Sequence, residues 1–325
     1  MRLLIVGGTR FVGRYLAAEA IAQGHDVSLL HLRPSELFPE AEHLLTDRDG
    51  DLSLLSGKTW DATIDVTAYY PRQLRSLAAA LDGNGGQYVF VSSISAYAVP
   101  PAAGYTEDTP LKEPIHPEPD EITAQTYGPL KVMCEQAATS LFGSSTLIIR
   151  PTYVIGPLDY TARFTYWVHR IARGGDILAP GFPERMIQTI DGRDLASFTV
   201  SATEQGLAGA FHTVNPAPPF SFGDMLETIG SVTAKPGTTL HWADPDFLTA
   251  QGLTGADLPL WPMTEGSSLM GSADPSAAFA AGLQPRPLTE SIKDILEQEP
   301  VPEMFLTPQR ESEVLAAWQQ HREQA

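Results

Sequence analysis

Tyr127 and Lys131 stand four residues apart in the run Tyr-Gly-Pro-Leu-Lys, so on a helix they share one face, one turn from each other. A phenol, with an ordinary pKa of about 10, is a poor base at neutral pH. A neighbouring ammonium favours the phenolate, which makes Tyr127 a candidate proton donor to, or acceptor from, an alcohol or a carbonyl. Ser93 lies just past the apolar run Tyr88-Val89-Phe90-Val91 and is placed to hold the same oxygen by a hydrogen bond. Taken alone, a Tyr-x-x-x-Lys pair is as readily a surface pair, so its meaning depends on the elements that position it.

The stretch Arg2–Gly13, RLLIVGGTRFVG, organises those elements. Leu3-Leu4-Ile5-Val6 is a short continuous apolar run, which predicts a strand buried on both faces. A glycine-rich turn follows at Gly7-Gly8-Thr9, and Arg10-Phe11-Val12-Gly13 opens a helix. That helix presents Val12, Leu16, Ala17, Ala20 and Ile21 on one face, with Gly24 placed for a left-handed cap. Asp26–Leu30 reads as a second strand and completes a βαβ unit. Strand, turn and helix together bring backbone N–H groups and the positive end of a helix dipole to a point where a pyrophosphate can sit.

Further strands are expected at Leu44–Arg48, Asp61–Val66, Tyr88–Val91, Leu147–Arg150, Ile187–Ile190 and Ala210–Val214. Helical spacing lies over Leu74–Leu81, from Tyr127 onward, from Arg163 onward and over Asp194–Thr203, with later helix starts at Ser221, Asp274-Pro275 and Thr307-Pro308. This alternation predicts an α/β fold, a doubly wound, mostly parallel Rossmann sheet. A smaller mixed C-terminal lobe goes with it. The expected dinucleotide-binding domain is 1–156 with 186–215, and the expected substrate lobe is 157–185 with 216–325. The Pro-rich and acidic segment from Pro100 to about Asp120 is long for a connection and reads as a mobile flap.

The 325 residues carry a net charge of -18, which opposes a phosphate backbone and argues against nucleic acid as a partner. Cys134 is the only cysteine; it predicts an inert buried thiol, no disulfide and a cytoplasmic location. The eight histidines show no metal-ligand spacing, so no metal is expected, and no run is long and apolar enough to predict a membrane span.

The motifs GGTRFVG, VFVSSISAY, YGPLK, IIRPTYVIGP and IDGRDLA occur in that order over about residues 2–214. In that series the chain resembles the NAD(P)-dependent epimerase/dehydratase type of short-chain dehydrogenase, of the extended or atypical branch that includes isoflavone-reductase-like proteins. It departs from the glycine pattern of that family at Arg10. The resemblance implies that Ser93, Tyr127 and Lys131 carry catalysis and that Lys131 also holds the nicotinamide ribose. It implies that Gly7, Thr9, Phe11 and Gly13 border the pyrophosphate, and that Arg150-Pro151-Thr152 passes near the nicotinamide and substrate.

By position, Arg10, Val12, His31, Arg33, Asp47, Arg48, Thr67, Ala68 and Ser92 join the candidate cofactor residues. No Asp or Glu follows Leu30 to accept a ribose 2′-hydroxyl, and Arg33 and Arg10 stand close to that turn, so NADP(H) is preferred and NAD(H) possible. Candidate substrate residues are Tyr69, Tyr97, Tyr153, Trp167, Arg163 and Arg185. The expected activity is hydride transfer to or from a small carbonyl or alcohol, by a monomer or homodimer. A nucleotide-sugar epimerase/dehydratase and a non-catalytic dinucleotide-sensing regulator are the alternatives.

Overall fold

In this computed structural model, which describes residues 1–216, 220–261, 268–298 and 304–324, the short apolar runs become the strands of one parallel sheet. Strands β1 (Arg2–Val6), β2 (Asp26–His31), β3 (Glu42–Leu45), β4 (Ala62–Asp65), β5 (Gln87–Val91) and β6 (Leu147–Pro151) are followed by the short β7 (Tyr153–Ile155). Then come β8 (Asp176–Pro180), β9 (Thr189–Asp191), β10 (Gly209–Thr213) and β11 (Thr239–Ala243). Seven of them form a sheet in the order β10-β6-β5-β4-β1-β2-β3, and every neighbouring pair is parallel. The chain runs outward from β1 through β2 to β3, then crosses back to place β4 on the other side of β1. That reversal leaves a crevice at the carboxyl ends of β1 and β4, where open α/β sheets bind ligands.

Alternation along β1 divides the core of this unit into two layers. Leu3 and Ile5 pack with Leu16, Ala17 and Ala20 of helix α1 (Phe11–Ala22). Leu4 and Val6 face the other way, toward Leu74, Leu77 and Leu81 of α2 (Pro71–Leu81) and Cys134 and Ala138 of α3 (Tyr127–Phe142). Gly24 ends α1 at φ +81, and His25 N–H reaches back to Ala20 O at 3.0 Å, a cap that needs the left-handed conformation. Pro71 and Pro129 fall in the first turns of their helices, where a missing N–H costs nothing.

The chain divides into two units: Met1–Val154 with Thr189–Asn215 and Ala273–Pro285, and Ile155–Gln188 with Pro216–Ser272 and Arg286–Ala325. Ala273–Pro285 thus belongs with the sheet, whereas the sequence reading assigns it to the C-terminal lobe. In the second unit, α4 (Arg163–Arg173), β8 and α6 (Phe222–Thr233) share a core built on Phe164, Trp167, Ile177, Leu178 and Phe222. Ser221 caps α6 in a reciprocal pair with Asp224, as its spacing predicts. Strand β8 pairs in parallel with β11; neither is foreseen from the sequence.

Two expectations need correction. Strand β3 ends at Leu45, so Asp47 and Arg48 lie in the loop beyond it. The segment 100–120 is no loose flap. Ala98 N–H bonds Pro110 O and Lys112 N–H bonds Ala96 O, Tyr105 is buried and bridges to Ala273, and Arg72 pairs with Glu118.

A buried polar chain fixes the same segment. Arg150 on β6 meets Glu135 on α3 at 3.1 and 2.7 Å, and it also donates to Tyr97 Oη and to Glu107 O at 3.1 Å. Tyr97 Oη lies 2.6 Å from His212 Nε2, whose Nδ1 lies 3.0 Å from Asp274 O. Removing one partner of a buried ion pair strands the other charge. Arg150→Ala is therefore expected to lower the unfolding free energy by about 3–5 kcal/mol, measured as a fall in the urea midpoint at constant m value.

Candidate functional site

The turn between β1 and α1 is shaped by close approaches that only glycine permits. A Cβ on Gly13 would lie 1.9 Å from Gly7 O, and one on Gly7, which sits at φ +98, would lie 2.2 Å from Thr67 Cγ2. The amino end of α1 is thereby drawn against the ends of β1 and β4. Phe11 opens the helix at φ +34, a conformation non-glycine residues rarely take and one that concentrates at ligand sites.

Beside this turn lies a cleft of about 350 Å³, lined by Gly7, Thr9, Arg10, Leu30, His31, Leu32, Thr46, Asp47, Arg48, Asp49, Thr67 and Gln73. Gln73 holds its rim, donating to both Asp49 oxygens at 3.0 and 2.9 Å while accepting from Tyr69 N–H at 2.9 Å. Of the expected cofactor residues, Gly7, Thr9, Arg10, His31, Asp47, Arg48 and Thr67 line this cleft. The exposed Arg33 is not among its lining residues. The cleft fits a dinucleotide half in placement and chemistry: it sits at the strand-order reversal beside a helix amino terminus. It also contains Arg48 Nε, a buried donor with no partner among the described residues.

The structure corrects the role expected for Arg48. Its guanidinium grips Asp65 at the end of β4 through two bonds of 2.8 and 2.9 Å and also donates to Thr67 Oγ1 at 2.8 Å. Asp65 further accepts from Tyr88 Oη at 2.9 Å and from Thr67 N–H at 3.0 Å. Burial by itself would raise the Asp65 carboxyl; Arg48 and these donors outweigh it and hold the group below its ordinary value. The charge of Arg48 is therefore spent within the wall. His31 is likewise committed, with Nδ1 2.7 Å from Arg33 O and Nε2 2.8 Å from His43 Nδ1.

The second cluster lies at the ends of β4 and β5. Lys131 is 3% exposed, and its Nζ donates to Ala68 O and Val91 O, both at 3.0 Å. Its third N–H has no partner among the described residues. The ammonium lies 4.8 Å from the Tyr69 ring centre, 4.7 Å from that of Phe90 and 5.9 Å from that of Tyr127. Burial lowers its pKa, against weaker upward pulls from Tyr69, Cys134, Asp65 and Glu135. Ser93 caps the helical turn Ile94–Ala96, its Oγ accepting from Ser95 N–H at 3.1 Å, so its own hydroxyl proton is not used in that bond. Helix α3 rests on this turn through Gly128, where a Cβ would lie 2.2 Å from Ser95 O. Ser93, Tyr127 and Lys131 are thus brought to one corner of the sheet, with Tyr69 6.3 Å from Tyr127 between ring centres.

Other expected residues are placed differently. Ser92 donates to Glu135, and Arg150 and Tyr97 belong to the buried chain that follows from it; their side chains are buried and hold the scaffold. Ala68 contributes its carbonyl to Lys131. Trp167 is fully buried in the second unit, its Nε1 donating to Pro259 O at 2.8 Å, and is a core residue. Thr152 is half-buried and Tyr153 is 37% exposed in the first unit. Arg163 and Arg185 are in the second, where Arg185 lines a cavity of about 270 Å³ with Phe182, Glu184, Met186, Ser268 and Leu269. Burial pushes the Cys134 thiol up to about 12, as an inert core cysteine requires. Sequence reasoning missed Asp65, Glu135, His43 and His212. Glu135 alone carries a signal, one helical turn beyond Lys131 and next to Cys134, the thiol expected to be buried.

The model of the NAD dependent epimerase/dehydratase family matches residues 3–215, and the chain belongs to that family. Chloroplast stem-loop binding protein of 41 kDa b from Arabidopsis thaliana is 27% identical over 216 residues, 60% of this chain and 53% of that protein. UDP-glucose 4-epimerase from Lactobacillus helveticus is 27% identical over 161 residues, 42% of this chain and 46% of that enzyme. The chain thus spans about half the length of these curated relatives. Among solved structures, human epimerase family protein SDR39U1 with NADPH superposes with a TM-score of 0.64 at 20% identity, covering 92% of this chain and 100% of that one. UDP-glucuronic acid 4-epimerase from Bacillus cereus in complex with NAD gives 0.65 at 15%, covering 92% and 97%. These two share the fold. Among the described residues no helix is long and apolar enough to cross a membrane.

The Asp65–Arg48 pair supplies a test of the cleft wall. Asp65→Asn is expected to cost about 3–5 kcal/mol by leaving Arg48 buried and unpaired. Because the folded carboxyl titrates below its unfolded value of about 3.9, its stabilisation is complete above that pH and is lost as pH falls through the folded value. Denaturant melts between pH 3 and 7 should show a steeper acid loss in the parent than in the variant.

Proposed function

We propose that this member of the NAD dependent epimerase/dehydratase family is an NAD(P)-dependent oxidoreductase acting on a small carbonyl or alcohol. The observation that carries the reading is Lys131, a buried ammonium bonded only to carbonyls, with one N–H left over among the described residues, beside the Tyr127 ring and the Ser93 turn. The bound nicotinamide supplies or takes the hydride. Ser93 donates its hydroxyl proton to the substrate oxygen and fixes its position. Tyr127 gives that oxygen a proton in reduction and takes one in oxidation. Lys131 favours the phenolate and holds the nicotinamide ribose with its remaining N–H.

NADP(H) is the cofactor this reading favours. The end of β2 carries His31 in place of an acid, and the exposed Arg10 lines the same cleft. The half-buried rings of Tyr69 and Tyr127 offer a partly apolar substrate face.

Tyr127→Phe is expected to lower kcat by about 10²–10⁴-fold, the scale of a lost general acid or base, with the melting temperature and NADPH affinity nearly unchanged. Lys131→Ala should damage both rate and cofactor affinity. The checks are NADPH oxidation with a panel of aromatic and aliphatic ketones, and fluorescence titration of the cofactor. Activity of Tyr127→Phe within a few-fold of the parent would remove the catalytic assignment.

A nucleotide-sugar epimerase is the second reading, favoured by the UDP-glucose 4-epimerase relative and by Arg185 beside its cavity in the second unit. Against it, Thr152 stands after Arg150-Pro151, where the extended family usually places an Asn that fixes the diphosphate. The expected outcome of a thermal-shift screen with saturating cofactor is stabilisation by ketones or alcohols and none by UDP- or dTDP-sugars. A shift with a nucleotide sugar that disappears in Arg185→Ala would establish the epimerase instead.

A further inference from the structure

The end of β2 carries an imidazole pair whose hydrogen bonds do not balance without an extra proton. His31 Nδ1 lies 2.7 Å from Arg33 O, His31 Nε2 lies 2.8 Å from His43 Nδ1, and His43 Nε2 lies 3.1 Å from Phe38 O. The two outer partners are peptide carbonyls, which only accept. Each outer nitrogen must therefore carry a proton. A neutral imidazole has one, so two neutral rings would spend both outward and leave two lone pairs facing each other at 2.8 Å. Turning either ring's tautomer inward mends that contact and sets a lone pair against a carbonyl instead. Three contacts need three protons, and two neutral rings hold two.

We infer that His31 and His43 share a third proton and form a half-buried monocation at the adenosine end of the cleft, and that this cation selects the 2′-phosphate of NADP(H). The inference rests on the dinucleotide reading above and deepens it. His31 is 5% exposed and lines the cleft with Gly7, Thr9 and Arg10. It occupies the end of β2, where an acid would accept the ribose 2′-hydroxyl and repel a phosphate. The replacement reverses the sign of the local charge.

The charges around the pair show why it matters. On the β1–α1 turn stands Arg10, and on the β2–β3 loop stand Arg33, Glu36 and Glu40. On and just beyond β3 are Glu42, already paired with Lys58, then Asp47, Arg48 and Asp49; Arg48 is neutralised by Asp65 of β4. Asp47 and Asp49 line the cleft, so Arg10 alone leaves it with an acidic balance. The imidazolium offsets one of those carboxylates from within the wall, where solvent screens it poorly. Both nitrogens of His31 stay in their internal bonds, so the pair acts on the phosphate by charge.

Two measurements test this on the full chain. Nitrogen-15 NMR of histidine-labelled protein at pH 7, with the pair assigned by His43→Gln, is expected to show three protonated nitrogens among the four. A count of two overturns the proposal, and this readout needs no ligand. Calorimetric titration with 2′,5′-ADP and 5′-AMP at pH 7 then measures selectivity. The parent should prefer 2′,5′-ADP about tenfold more than a folded His43→Gln does, the scale of one partly screened charge. Comparing parent and variant at one pH cancels the phosphate's own second ionisation. If His43→Gln fails to melt as a folded protein, His31→Gln takes its place in both measurements. Binding of both fragments with the same selectivity in parent and variant overturns the specificity role alone. Binding of neither overturns the dinucleotide reading and this proposal with it.

Discussion

A buried ammonium without a carboxylate partner among the described residues is the constraint on which the proposed catalytic corner depends. Lys131 cannot be charged in the interior unless acceptors meet it, and they are the carbonyls of Ala68, just beyond β4, and Val91, the last residue of β5. Carbonyls at the carboxyl ends of parallel strands point beyond the ladder and are open to such a donor. Strands β4 and β5 must therefore stop where they do, and α3 must lie across their ends. Gly128 permits that placement because any side chain there would strike Ser95 O. One requirement, acceptors for one cation, thus fixes the ends of two strands and the seat of the helix that carries Tyr127.

Comparison with the other buried cations of the same unit shows what is distinctive about this one. Arg48 is matched by Asp65 and Arg150 by Glu135, each at hydrogen-bonding distance. Those pairs are internally neutral, and their role is to tie loops and helices to the sheet. Lys131 is held by dipoles alone among the described residues, so its charge is not cancelled at contact range and is available to a neighbour. Carboxylates at greater distance, Asp65 and Glu135 among them, and the Tyr69 phenol pull its pKa up less strongly than burial pulls it down. The proton transfer proposed for this corner draws on this division between cations that are spent on structure and one that is not.

The same division explains what the sequence discloses and what it hides. The β1–turn–α1 unit is legible because each of its parts is local: an apolar run, glycines at the turn, one helical face and a glycine cap. The Tyr127 and Lys131 pair is legible for the same reason, being one turn of one helix. Arg150, Tyr97 and Arg48 have the residue types of ligand contacts, and only partners distant in sequence show their charge or hydroxyl to be committed. His212 is 115 residues from Tyr97 and Glu107 is 43 from Arg150. The segment 100–120 misleads in a related way. Its composition is that of a flexible loop, but its order comes from Arg150, Ala273 and Arg72, which no local pattern announces. Strands β8 and β11 escape notice because five residues each, one ending in proline and the other carrying polar positions, give little period to read.

Net charge and local charge act against each other in this protein. At -18 the molecule as a whole repels an anionic dinucleotide over distances comparable to the screening length, about 8 Å at physiological salt. Whatever attraction the cleft exerts must therefore come from groups inside that range and shielded from solvent. The amino end of α1 and the donors left unmatched among the described residues on Arg48 and Lys131 meet that condition; the exposed arginines do not. An acidic surface with a few sheltered donors admits an anion only where those donors converge, and in the described part of the first unit they converge on the carboxyl ends of β1, β4 and β5.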